Sequence, residues 1–264
     1  MAFVEVRDIV LHVHRSGDPR GPLVVFANSL GTDARIWDAV VARLPDRYGV
    51  LCYDKRGHGL SDAPPGPCAI ADHADDLVGV LDHFGAHRVA LVGLSIGGMI
   101  AQAIAARHPD RIAALVLCDT AARIGTAETW NARIAAVESQ GLPAIADSVL
   151  QRWFTRVYRE TEAACLRGWH NMLVRQPVTG YAASCAAIRD ADLRDQAAGI
   201  TAPTLCLVGD QDLSTPPDLV RDTAALIPGA RFEVIARSGH LPCIEQPEDL
   251  AALVTRHFAD AGYR

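Results

Sequence analysis

Gly93-Leu94-Ser95-Ile96-Gly97 follows an aliphatic run that begins at Val89, and an uncharged, alanine-rich run follows it to Ala106. A Gly-x-Ser-x-Gly between a strand and a helix makes a very tight turn. Side chains at Gly93 and Gly97 would collide with neighbouring backbone there. The turn lifts the Ser95 hydroxyl above the sheet and aims a helix N-terminus at it. The chemistry this suits is nucleophilic attack on the carbonyl of an ester-like bond.

A serine needs a base, and the base needs an orienting acid. Ten histidines compete. His240, in Ser238-Gly239-His240-Leu241-Pro242, lies in a loop after the strand-like run Arg231 to Ile235 and before the last helical run. His58, in Arg56-Gly57-His58-Gly59, is the main rival and also suits a loop-stabilising role. His73 and His83 fall on a helix expected at the surface. For the acid, Asp212 in Gly209-Asp-Gln-Asp212 is preferred. Asp210 suits a turn that bonds its own backbone, and Asp119, after the run Ile112 to Cys118, stays open as a third choice. Two backbone donors should hold the oxyanion: the N–H of Ile96, and the N–H of Leu30 in Asn28-Ser29-Leu30-Gly31-Thr32.

Trp130 and Arg133 are three apart and share a helix face. They could grip a substrate or simply pack that helix on its neighbours. Arg123 and Arg189 are weaker candidates, suited to solvated surface. Nothing has metal-ligand spacing and no glycine-rich phosphate cradle appears, so neither metal nor cofactor is expected.

The elements that must position these groups alternate. Strand-like runs occur at His12–His14, Leu23–Ala27, Tyr48–Tyr53, Arg88–Val92, Ile112–Cys118, Thr204–Val208 and Arg231–Ile235, with helical patterns between them. Most are continuous aliphatic runs, as in a parallel sheet covered on both faces. The alternation fails between residues 121 and 198. That stretch reads as helices and holds three of the four tryptophans. The expected division is a core of residues 1–120 and 199–264 and a helical cap of 121–198.

The chain has 264 residues, 50% hydrophobic and 21% charged, with a net charge of -6. That allows one large core and disfavours nucleic acid or an anionic membrane as partner. The uncharged stretch Val89–Ala106 is long enough for a membrane span, but its Gly/Ser turn splits it into strand and helix. The seven cysteines lack pairing or metal spacing and read as reduced thiols. No leader-like apolar stretch opens the chain, and a cytoplasmic monomer or weak homo-oligomer is expected.

This constellation resembles the α/β-hydrolase superfamily over nearly the whole chain, through Asn28-Ser-Leu-Gly31, Tyr53-Asp-Lys-Arg-Gly-His-Gly59, Gly93-Leu-Ser-Ile-Gly-Gly98, Gly209-Asp-Gln-Asp212 and Gly239-His240. Within it the cap segments Leu117-Cys-Asp-Thr-Ala-Ala122, Glu128–Ile134, Arg152-Trp-Phe-Thr155 and Gly180–Leu193 are similar to the 3-oxoadipate enol-lactonases. Ser184 departs from that pattern, which has asparagine there. The resemblance implies an α/β-hydrolase fold with a mostly parallel eight-stranded sheet and an inserted helical cap. It also implies a small anionic lactone as substrate, in the breakdown of aromatic compounds. A cofactor-free perhydrolase or short-chain esterase would use the same three residues. A triad-retaining ligand receptor is a reading of another class.

Overall fold

The computed structural model describes all 264 residues. Eight strands form one sheet: β1 (Ala2–Val6), β2 (Ile9–Gly17), β3 (Leu23–Ala27), β4 (Gly49–Tyr53), β5 (Val89–Leu94), β6 (Ile112–Cys118), β7 (Thr204–Gly209) and β8 (Arg231–Ile235). Their spatial order is β1-β2-β4-β3-β5-β6-β7-β8. β2 runs antiparallel to both of its neighbours, β1 and β4, and all other pairings, among β3 to β8, are parallel. The six parallel strands explain the continuous aliphatic runs: β4, β5, β6 and β7 are buried at every residue. β1 escapes a pattern search because it alternates buried and exposed residues at the sheet edge.

Core helices are α1 (Asp38–Val41), α2 (Ile70–His83) and α3 (Ile96–Arg107), then α10 (Pro217–Leu226), α11 (Pro242–Glu245) and α12 (Pro247–Asp260). Helix α3 is buried from Ile96 through Ala105, which is why its sequence is apolar all round. His73 does not lie at the surface as expected. It faces inward on α2, and burial pushes its pKa down to about 3. Between β6 and β7 the chain makes α4 (Ala127–Gln140), α5 (Ala146–Trp153), α6 (Arg156–Thr161), α7 (Ala163–Val174), α8 (Val178–Asp190) and α9 (Arg194–Ala198). Helices α6 and α7 are separated by a single residue. The backbone leaves the helical region at Glu162, which caps α7.

Cap and core meet at two glycines. Gly57, after β4, lies backbone to backbone against Gly180 in the first turn of α8. A Cβ on Gly180 would fall inside contact distance of the Gly57 Cα and carbonyl. Gly180→Ala should therefore lift the cap from the core at a cost of about 1–3 kcal/mol. At about 2–4 °C per kcal/mol for a chain of this size, calorimetry should show a Tm lower by roughly 2–12 °C.

Candidate active site

The end of β5 dictates the geometry of Ser95. Its φ is 58° and ψ is -120°, a conformation that side-chain-bearing residues rarely adopt. The turn closes because a Cβ at Gly93 would strike the Gly97 carbonyl, and one at Gly97 the Ala27 carbonyl. The surroundings hold the strain in place: Ser95 N–H donates to the Cys118 carbonyl at 3.0 Å. The Ser95 carbonyl accepts from the Thr120 hydroxyl at 2.7 Å. The side chain is left facing a cavity of about 260 Å³.

His240 lines the same cavity. Its ring Nδ1 lies 2.8 Å from Asp212 Oδ2. The carboxylate only accepts, so Nδ1 carries the proton and Nε2 is free to accept one. Asp212 is fixed in turn. Its Oδ1 accepts from Ser214 N–H at 2.7 Å and Thr215 N–H at 3.2 Å, and its Oδ2 from the Thr215 hydroxyl at 2.6 Å. Burial pushes the Asp212 carboxyl up, but the charge of His240 and these hydrogen bonds outweigh it, and its pKa lies below the ordinary value. The cap steadies the histidine loop as well. His240 N–H donates to the Trp153 carbonyl at 2.9 Å. Glu245 accepts from Gly239 N–H in that loop and from the Thr155 hydroxyl in the cap.

Asp119 is the alternative acid brought into the same cluster. Oxygens of Asp119 and Asp212 and a His240 nitrogen all lie within 4.8 Å of one another. Asp119 Oδ1 accepts from Gly209 N–H at 2.9 Å, and Oδ2 has no partner. Burial, then the neighbouring charge of Asp212, drive its pKa well above the ordinary value, so Asp119 is the member of the pair that favours its neutral form. Asp210 does not reach the cluster. Its Oδ1 accepts from Ser238 N–H at 3.0 Å.

The strand register brings the two candidate oxyanion donors close to Ser95. Ala27 pairs with Gly93, so the loop after β3 emerges next to the turn after β5. Leu30 lines the cavity, and its N–H makes no hydrogen bond within the chain. Ile96 opens α3, so its N–H has no acceptor inside the helix. His58, the rival base, lies beneath this loop. Its Nε2 accepts from Gly31 N–H at 3.0 Å, which leaves the proton on Nδ1, 3.2 Å from the Arg56 carbonyl. Burial and then the charge of Lys55 push its pKa well below the ordinary range. It is a neutral prop for the loop.

Trp130 and Arg133 both reach the cavity wall. The Arg133 guanidinium sits over the Trp130 ring at 5.1 Å, and the indole N–H donates to the Ile124 carbonyl at 2.7 Å. Arg123 pairs with Asp192 at 3.6 Å and Arg189 with Asp190 at 2.7 Å, both away from the cavity. Arg152 and Tyr181 also line it, and neither stands out in the sequence as a site residue. Only their facing positions across the folded cap bring them there.

The sequence model of the α/β hydrolase fold matches residues 22–247. An Acinetobacter baylyi protein named 3-oxoadipate enol-lactonase 2 is 36% identical over 245 residues, covering 92% of this chain and 90% of that one. Among solved structures, the enol-lactonase from Burkholderia xenovorans superposes with a TM-score of 0.95 at 39% identity, over 98% of this chain and all of the other. A thermophilic esterase from Thermogutta terrifontis, solved with malate bound, gives 0.93 at 30% identity over 99% of each chain.

Proposed function

This chain belongs to the α/β-hydrolase family, and on that premise we propose that it opens 3-oxoadipate enol-lactone to 3-oxoadipate by a Ser95-His240-Asp212 mechanism. The observation that carries the reading is a pair of arginines free of ion pairing, Arg133 and Arg152, on the wall of a small cavity that also holds Ser95 and His240. A compact anionic ester fits that combination. The enol-lactonase relatives and the malate-bound esterase support it, since malate is likewise a small anion carrying carboxylates.

In this reading the Ser95 hydroxyl attacks the lactone carbonyl while His240 Nε2 takes its proton. Asp212 holds the ring and balances the imidazolium. The N–H groups of Leu30 and Ile96 receive the oxyanion. Collapse breaks the ring C–O bond, and His240 returns the proton to the departing enol oxygen. The enol remains tethered to the acyl-enzyme and would re-close the ring, but tautomerisation to the ketone removes that route. Water, deprotonated by His240, then attacks the acyl carbon and frees Ser95.

The test is hydrolysis of the enol-lactone measured beside that of neutral aryl esters of similar size and beside peracid formation. A marked preference for the lactone in kcat/KM is expected. Preference for the neutral esters would favour the short-chain esterase reading. Arg133→Met should raise KM for the anionic lactone by about 10–100-fold, the worth of one charge-assisted hydrogen bond. It should leave KM for a neutral ester within about twofold. Equal effects on both substrates would mean that Arg133 serves packing.

A further inference from the structure

Lys55 is fully buried after β4, where an uncharged side chain of the same length would avoid the cost of desolvating an ammonium. Its Nζ donates to the Ser29 carbonyl at 2.6 Å. The same oxygen accepts from the Thr32 hydroxyl at 2.9 Å and the Thr32 N–H at 3.3 Å. That carbonyl belongs to the peptide unit whose N–H is that of Leu30. A positive charge on the oxygen draws electron density off the nitrogen. The N–H at the other end of the unit becomes a stronger donor, since hydrogen bonds chained through a peptide reinforce one another.

We propose that Lys55 is a positioning residue whose ammonium fixes and polarises the Ser29–Leu30 peptide, so that the Leu30 N–H stabilises the oxyanion formed on Ser95 attack. The inference rests on the hydrolase reading above. It gives a buried charge a task that packing does not require.

Burial lowers the Lys55 pKa to about 7, against the opposing charges of Asp54 beside it and Asp33 in the preceding loop. His58 and His73, which also feel its charge, are held neutral by burial. The ammonium therefore prevails below about pH 7 and fades above it. An alkaline decline in kcat should follow.

The experiment compares the full chain with Lys55→Met on enol-lactone across the neutral pH range. The expected result is a kcat lower by about 10–100-fold with KM within about twofold, because the lost interaction acts on the transition state. The alkaline decline near pH 7 should also vanish. A kcat within twofold of wild type, or the same decline in the variant, would overturn the inference. Should Lys55→Met fail to fold, Thr32→Val removes a neutral donor from the same carbonyl. It should lower kcat by roughly three- to tenfold at constant KM, and an unaltered kcat refutes the inference. Failure of the hydrolase reading itself looks different: a wild type inert toward enol-lactone and esters alike.

Discussion

Ser95→Ala is expected to lower kcat by about a million-fold, the scale seen when a serine nucleophile acting within a triad is removed. The fold should not notice. The Ser95 backbone makes the bonds that close the turn, to Cys118 and Thr120. Alanine keeps that backbone and its Cβ, so the unusual φ of 58° costs the variant what it costs the wild type. The thermal midpoint should stay within about 2 °C, because no buried contact is deleted. A burst experiment with a chromogenic ester would show acyl-enzyme accumulating in the wild type and none in the variant. Lactone hydrolysis within tenfold of wild type in Ser95→Ala would remove the proposed nucleophile.

The second large effect is expected at Asp212. Asp212→Asn should lower kcat by about ten-thousand-fold. An amide offers its NH2 to His240 as readily as its oxygen. The ring then carries its proton on Nε2, where it cannot accept the one from Ser95. Asp119→Asn is the discriminating control. Burial and the charge of Asp212 favour the neutral form of Asp119, so a neutral amide of the same shape stays close to it. Its Oδ1 still accepts from Gly209 N–H. Turnover within about fivefold of wild type is expected. If Asp119→Asn abolishes turnover and Asp212→Asn spares it, the orienting acid is Asp119.

The two carboxylates show where the sequence stops being decisive. Each follows a strand, β6 or β7, and those strands are neighbours, so both acids arrive in one cluster. Chain order alone leaves them equivalent. The preference for Asp212 gains physical content from the ring nitrogen at 2.8 Å and from three donors on its oxygens. His58 is a similar case. A histidine between glycines in a loop looks available, and only the fold shows its Nε2 occupied by Gly31 N–H. The arginines divide the same way. Arg123, Arg133 and Arg189 are alike as letters, but two are spent on aspartates and one faces the cavity.

What the sequence determines by itself is whatever depends on near neighbours in the chain. The Gly93–Gly97 turn is such a feature, since the glycines and Ser95 constrain one another over five residues. The alternation of aliphatic strands and helices is another, because burial on both faces writes itself into each run. The run of helices between β6 and β7 is legible for the same reason. The tertiary structure alone decides what depends on distance across strands and across the cap boundary. It decides which acid meets His240, which arginines reach the cavity of Ser95, and that Lys55 ends on the Ser29 carbonyl 26 residues before it in the chain. Those contacts are set by strand order and register, in which β4 lies between β2 and β3. No local pattern of side chains encodes that adjacency.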